Sequence, residues 1–233
     1  MNKQELKWLA SATGEKGFTS CLFFTKDNVT ATDGKRLHRV DTDSYSGDME
    51  ILSIPATTIN AITKKMGVND DFKLSVDNET VTFTIIKVKG WNQPVETHTT
   101  ESLPEQQTAP DFKRVIPSEN DFYDYKETDM TSWKQLFESF PLAKPIKDKR
   151  YILNLNGSIK LEYGTKHILH ANLTIELENI ELPEIGLDPF YLIDMLSGIE
   201  SWDTTTIHYN NQLKPLEFKS GNKMAVLMPM RMF

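Results

Sequence analysis

The 233-residue sequence contains a single cysteine, Cys21, which excludes an intramolecular disulfide and a metal site built from several cysteines. It has no apolar run of the roughly 18 residues that indicate a membrane-spanning helix. Its first residues, Met1–Glu5, are mixed and polar and lack the apolar core of a signal peptide. These absences predict a cytoplasmic protein without a membrane partner.

Motifs that carry catalysis are also missing. The sequence has no glycine-rich phosphate loop, no nucleophile elbow and no CxxC pair, and Asp70-Asp71 is typical of a polar turn. None of its five histidines stands at the HExxH spacing of a metal site; they are His38, His98, His167, His170 and His208. We therefore expect a non-enzymatic protein without a cofactor or metal. An enzyme on a similar α+β scaffold stays open as an alternative, and it would need a deep pocket lined by convergent titratable groups.

Positive charge is scarce, since 26 lysines and arginines face 33 aspartates and glutamates, for a net charge of −7. This balance argues against a generally basic nucleic-acid-binding surface, although it leaves room for a local basic cluster. The hydrophobic fraction of 39% is ordinary for a globular protein, and the length allows one large domain or two of about 100–150 residues.

Periodicity and turn residues predict a mixture of helices and strands in the first half of the chain. The expected helices are 2–12 and 55–66, the latter opened by Pro55 and ended by Gly67. The expected strands are 19–24, 29–31, 51–54 and a hairpin of 72–76 with 80–88 around Asp77-Asn78. The polar, proline-bearing stretch 91–109 is predicted to be a long loop or an irregular edge.

The same order of elements returns in the second half. Helices are expected after Asp129 and from Asp188-Pro189 onward. The expected strands are 123–127, 151–155 and 159–163 around Asn156-Gly157, 167–177, 204–209 and 215–218 around Asn210-Asn211, and 223–230. This weak repeat predicts two tandem α+β domains, 1–119 and 120–233, each with two helices packed on antiparallel sheets.

Three segments in this order resemble a known family. They are ATDGKRL at 31–37, PDFKRVIP at 110–117 and VLMPMRMF at 226–233. Together they are similar to segments of the bacterial DNA sliding clamp, the beta subunit of DNA polymerase III. That family has three similar domains per subunit, and this chain resembles the second and third. It departs from the family at Lys35, where histidine is common, and at Phe233, which extends the terminus by one residue.

The resemblance implies a function in DNA replication. Clamps close a ring from six such domains, so two domains per chain imply a homotrimer with head-to-tail interfaces. The ring would encircle duplex DNA without reading its sequence, and it would tether a replicative DNA polymerase as a processivity factor. A clamp loader is a further implied partner. The alternative is a monomeric clamp-like decoy or regulator that binds partner peptides without forming a ring.

The resemblance also implies a hydrophobic pocket for partner peptides, which in the family lies where the last two domains meet. Leucine, valine, methionine and proline would form its apolar concavity, and Arg36, Arg114 and Arg231 could hold carbonyl or acidic groups at its rim. The matching positions are Phe18, Thr32, Gly34, Lys35, Arg36, Leu37, Pro110, Arg114, Val115, Val226, Leu227, Met228, Pro229, Met230, Arg231 and Met232. The alternative is that Asp33-Gly34 is only a turn and that the methionine-rich terminus only packs in the core.

In the family, helices line the hole of the ring, and phosphate contacts from lysine and arginine would suffice for tracking along DNA. Each candidate could equally be an ordinary solvated side chain. The candidates are Lys3, Lys7, Lys64, Lys65, Lys134, Lys147, Lys149 and Arg150. The predicted helix 188–201 argues against this function, because it carries Asp188, Asp194 and Glu200 and no basic residue; a helix N-cap would account for Asp188.

Overall fold

A computed structural model describes residues 1–89, 93–118, 124–129, 150–155, 158–164, 174–176, 185–199, 204–211 and 213–230. The chain divides into two compact units, Met1–Phe112 and Lys113–Phe233. The sequence predicts a domain boundary between residues 119 and 120. The division by contacts falls earlier because residues 113–118 lie against a loop of the second unit.

The first unit contains two helices and two sheets. Its elements are α1 Lys3–Ser11, β1 Cys21–Phe24, β2 Asn28–Thr32, β3 Arg36–Asp41, β4 Tyr45–Ser46, β5 Leu52–Pro55, α2 Ala56–Lys65, β6 Asp71–Asp77, β7 Thr80–Lys89 and β8 Gln93–Ser102. One sheet has the order β5-β1-β2-β3 and is antiparallel. The other has the order β4-β6-β7-β8, in which only the β4–β6 pair is parallel.

Helix α1 confirms the predicted N-terminal helix, and local chemistry explains where it begins. The Asn2 side chain accepts from the Glu5 amide at 2.9 Å, and the Glu5 carboxylate accepts from the Asn2 amide at 2.8 Å. This capping box satisfies two amides that a helix start leaves unpaired. Leu6 and Leu9 are fully buried, so the apolar face expected from the spacing is the one that packs.

The predicted hairpin at Asp77-Asn78 is confirmed as β6 and β7, and Asn78 adopts a positive φ of 51°, a conformation that asparagine tolerates in turns. The prediction of a loop or irregular edge for 91–109 is wrong for most of its length, because residues 93–102 form a ten-residue strand, β8, at the edge of the sheet. From Pro94 to Ser102 its side chains are exposed on both faces except that of Thr99. A strand without a buried face has no apolar alternation to detect.

The described residues of the second unit form two four-stranded antiparallel sheets. Its described elements are β9 Asp124–Asp129, β10 Arg150–Leu155, β11 Ser158–Gly164, β12 Thr174–Glu176, β13 Ile185–Leu187, α3 Pro189–Leu196, β14 Thr204–Tyr209, β15 Leu216–Ser220 and β16 Lys223–Leu227. The sheet orders are β12-β11-β10-β13 and β16-β15-β14-β9. The predicted helix after Asp129, the turn at Asn156-Gly157 and most of the predicted strand 167–177 lie outside the described residues.

Helix α3 begins as the sequence predicts. The Asp188 carboxylate accepts from the Phe190 amide at 2.9 Å, and Pro189 occupies the first turn, where its missing N–H costs nothing. The apolar side chains of Leu192 and Met195 are fully buried. The acidic group at the start of this helix is therefore an N-cap, which suits the positive end of the helix dipole.

No helix in the described part of the chain has the length and apolar character needed to cross a membrane. No group of three or more histidine, cysteine, aspartate or glutamate side chains there is placed to hold a metal ion.

Candidate functional site

The ATDGKRL segment forms the end of β2, a tight turn and the start of β3. The Thr32 hydroxyl donates to the Arg36 carbonyl at 2.6 Å, and the Asp33 carboxylate accepts from the amides of Lys35 and Arg36 at 2.9 and 3.0 Å. Gly34 has a φ of +86°, which a residue with a side chain rarely adopts. The turn is thus fixed by its own side chains, and it leaves Gly34 and Lys35 exposed.

Arg36 lies beneath this turn and not at an exposed rim. Its side chain is 8% exposed, pairs with the Asp33 carboxylate at 3.1 Å, and also donates to the carbonyl of Ser11. Ser11 is the last residue of α1, where helix carbonyls lack intrahelical partners and favour a cation. Arg36 therefore holds the turn against the end of α1, and the fully buried Leu37 continues into the core.

His38, next along β3, is also internal. Its ring stacks on Trp8 with centroids 4.3 Å apart, and its Nδ1 lies 2.8 Å from the Trp8 carbonyl, to which it donates. Burial lowers the pKa of His38 to about 3, the Trp8 hydrogen bond opposes this shift, and the charge of Arg36 adds to it. The imidazole is therefore neutral, and Nε2 has no hydrogen-bond partner in the described part of the chain.

Phe18 is an exposed aromatic residue near the same turn. It lies in the short 3₁₀ helix Gly17–Ser20 and is 41% exposed. The loop before it is tightly packed, because a Cβ at Gly14 would lie 2.6 Å from the Thr19 hydroxyl and 3.6 Å from the Asp33 Cβ. Phe18 and the turn at Asp33 therefore belong to one surface of the first unit. Pro110 is half-buried in the same unit.

The C-terminal motif of the second unit is divided between core and surface. Val226 and Leu227 are buried in β16, whereas Met228 is 38% exposed. The chain then turns so that the Met230 amide donates to the Gly186 carbonyl at 2.7 Å, forming a bridge to β13. Met228–Met230 is thus the surface part of the described motif. The predicted residues Arg231 and Met232 lie outside the described residues.

The second unit also carries a cleft of about 340 Å³. Two segments form it, 113–118 and the loop between β14 and β15. Its lining comprises Lys113, Arg114, Val115, Ile116, Pro117, Ser118, Asn210, Lys214 and Pro215. Arg114 and Val115 are predicted site residues, whereas the sequence does not predict the loop residues Asn210, Lys214 and Pro215. Nothing local identifies them, since Asn210-Asn211 indicates only a turn.

The predicted DNA-facing lysines of the first unit lie on two helices that pack together, α1 and α2. Lys7, Lys64 and Lys65 are exposed, and the remaining exposed positions of both helices are uncharged: Gln4, Thr57, Asn60 and Ala61. The Lys3 ammonium is engaged differently, because it donates to the Met66 carbonyl at 2.5 Å. The other predicted residues, Lys134, Lys147 and Lys149, lie outside the described residues, and Arg150 begins β10.

The chain has the fold of DNA sliding clamps, which confirms the sequence resemblance at the level of fold. The solved structures that it matches include DNA polymerase III beta subunits. The subunit from Borrelia burgdorferi, in complex with a natural product, has 16% identity and a TM-score of 0.74 over 100% of this chain and 64% of that chain. The Pseudomonas aeruginosa subunit has 19% identity and a TM-score of 0.72 over 99% of this chain and 65% of that chain.

A third structure, the Helicobacter pylori beta clamp bound to a DNA ligase peptide, has 16% identity and a TM-score of 0.70 over 98% of this chain. The chain spans 63–65% of the length of these three proteins. No protein-family model and no curated protein matches the sequence. At such low identities the likeness establishes the fold, and function has to be argued from the surfaces.

Proposed function

We propose that this chain is a DNA sliding clamp, a non-enzymatic processivity factor for DNA replication. The observation that carries the proposal is the clamp fold over the whole chain, with TM-scores of 0.72 and 0.74 to two clamp subunits. Its proposed partners are duplex DNA, a replicative DNA polymerase and a clamp loader. A tether of this kind raises the polymerase's effective concentration at the primer end without tight DNA contacts.

A homotrimeric ring is the assembly we propose. Two units per chain, each with two four-stranded sheets, would give a six-domain ring from three copies in head-to-tail order. Strand β8 supports this assembly, because it is a ten-residue edge strand exposed on both faces. Natural proteins usually shorten, cover or charge such an edge. Pairing with the edge of a neighbouring copy would cover it.

The exposed face of α1 and α2 is the surface we propose to face DNA. The three exposed lysines there, Lys7, Lys64 and Lys65, stand among uncharged residues, and the acidic residue of α1, Glu5, is turned inward by its capping box. The net charge of −7 makes such a face unusual in this chain. Lysine contacts to phosphates would bind duplex DNA without sequence preference.

Partner peptides would bind the surface elements of the three sequence motifs. Phe18 and the turn at Gly34-Lys35 offer exposed aromatic and backbone groups on the first unit, and Met228 offers an exposed methionine on the second. Methionine adapts to differently shaped apolar partners. The H. pylori clamp, which shares the fold, is bound to a DNA ligase peptide, and that peptide is a suitable first probe. Leu37 would support the surface of the first unit from its core, and Val226 and Leu227 would support that of the second.

The ring is tested by the mass of the purified protein in sedimentation equilibrium at micromolar concentration. We expect three times the 26.7-kDa mass of one chain. Thr97→Lys places a charge in the middle of the exposed β8 edge and should shift the population toward single chains, whereas Lys73→Arg on β6 should not. A strict monomer at these concentrations contradicts the ring and favours the decoy or regulator.

A further inference from the structure

We propose that the cleft lined by 113–118, Asn210, Lys214 and Pro215 selects carboxylate-bearing segments of partner proteins, with Lys113 and Lys214 as specificity-determining residues. The inference rests on the proposed function, because Arg114 and Val115 are shared with the proposed peptide-binding surface. It adds the chemistry of the partner: a linear segment that combines acidic with apolar side chains.

Charge is the first argument. Lys113, Arg114 and Lys214 are exposed at the cleft, and its nine described lining residues include no aspartate or glutamate. The chain as a whole carries seven more negative than positive charges, so this cluster opposes the overall balance. A concave surface lined by one sign of charge concentrates ligands of the opposite sign.

The apolar part of the lining favours a peptide over the backbone of a nucleic acid. Val115, Ile116, Pro117 and Pro215 line the cleft and are half-buried, and Leu213, in the loop beside it, is 72% exposed. Phosphates need only cations, whereas apolar walls gain by burying leucine or phenylalanine side chains. The volume of about 340 Å³ is at the small end of ligand sites, which suits a few residues of a linear motif.

The loop that carries Lys214 is held by its own hydrogen bonds. The Asn211 side chain accepts from the Leu213 amide at 2.9 Å, and the Asn211 carbonyl accepts from the Lys214 amide at 3.1 Å. Pro117 and Pro215 fix the backbone on both sides of the cleft. Little ordering is therefore required on binding, which favours affinity from a short segment.

The test uses two fluorescein-labelled nine-residue peptides. They share the same leucine and phenylalanine residues and differ only in carrying three aspartates or three asparagines. We expect the aspartate peptide to bind the full chain about tenfold more tightly at low salt, with the preference falling as salt is added. Lys214→Glu should abolish the preference, and Lys113→Glu/Lys214→Glu should reverse it toward a three-lysine version. The control is Lys73→Glu, an exposed charge reversal on β6, which should leave the preference intact.

Equal affinity for the aspartate and asparagine peptides overturns the inference, and so does an equal loss in Lys73→Glu and Lys214→Glu. Displacement of the aspartate peptide by a 20-base-pair duplex, lost in Lys214→Glu, would instead assign the cleft to phosphates and also overturns it. If the asparagine peptide binds as well as the aspartate peptide and the protein remains trimeric, the proposed function stands without this selectivity. A monomer that still prefers the aspartate peptide would contradict the proposed ring and support the selectivity of the cleft.

Discussion

The imidazole of His38 stacks on the indole of Trp8 at an interplanar angle of 12° and donates a hydrogen bond to the carbonyl of the same residue. This pair joins β3 to α1 directly behind the turn at Asp33. Because the imidazole is fully buried and stays neutral in the folded protein, the stability of the fold depends on pH.

The first prediction concerns acid stability. Burial lowers the pKa of His38 from 6.5 to about 3, so between these values the unfolded chain takes up a proton that the folded chain does not. His38 therefore makes no contribution to pH dependence above pH 6.5 and destabilises the fold progressively as the pH falls toward 3, by about 1.4 kcal/mol per pH unit. Urea unfolding at pH 7.5 and 4.5 measures this difference.

In His38→Gln, the loss of stability between pH 7.5 and 4.5 should be smaller than in the parent by about 2–3 kcal/mol. His98→Gln is the matched control, because His98 lies on the exposed β8 and is 55% exposed. An unchanged pH dependence in His38→Gln would show that the imidazole is not buried as the structure has it.

The second prediction concerns Arg36, which binds both the Asp33 carboxylate and the Ser11 carbonyl. Lysine keeps the charge but lacks the planar set of N–H donors, so Arg36→Lys should lower the free energy of unfolding by about 1–3 kcal/mol. Arg39→Lys, on the same strand, changes a more exposed pair with Asp41 and should cost less than about 1 kcal/mol. Equal effects in urea unfolding would contradict the anchoring role of Arg36.

The third prediction concerns the DNA-facing surface. Lys64→Glu/Lys65→Glu should weaken low-salt binding to a 30-base-pair duplex, because two phosphate contacts are lost. The slope of log affinity against log salt should become shallower by about two. Fluorescence anisotropy measures both quantities. Lys26→Glu/Lys73→Glu makes the same charge change at exposed positions outside α1 and α2, and a similar loss in this control would remove the assignment of the helix face.

The fourth prediction concerns the C-terminal motif. Met228→Ala should weaken binding of the ligase peptide about fivefold, because the exposed thioether side chain is lost from an apolar contact. Deleting residues 230–233 should abolish binding. The described contact that this deletion removes from the fold is the bridge between Met230 and Gly186. Val68→Ala removes a comparable apolar side chain, 70% exposed, and should leave affinity unchanged. Unchanged affinity in the deletion would refute this surface.

Local patterns predicted the elements whose determinants are close in sequence. The capping box of α1, the N-cap at Asp188 and the turn at Asn78 each involve residues within a few positions, and the structure confirms these elements. Strand β8 was not predicted because its segment is polar and threonine-rich and has no apolar periodicity. It is held by backbone pairing with β7.

The candidate site residues likewise divide into those with local determinants and those placed by distant parts of the chain. The motif around Gly34 marked a surface turn from sequence, but the burial of Arg36 depends on a carbonyl 25 residues away, which no local pattern contains. The loop residue Lys214 lies at the cleft only because the folded chain brings residues 113–118 against the loop between β14 and β15. Tertiary neighbours of this kind are not encoded in spacing.

We propose above all that the protein encircles DNA. The most direct measurement is its retention on linear duplex DNA, first threaded over free ends and then closed at both ends by biotin–streptavidin blocks. A ring should stay on the blocked DNA through a high-salt wash and leave at once when a restriction enzyme cuts the duplex. Loss in high salt from blocked and unblocked DNA alike would show electrostatic binding without encirclement and would contradict the account.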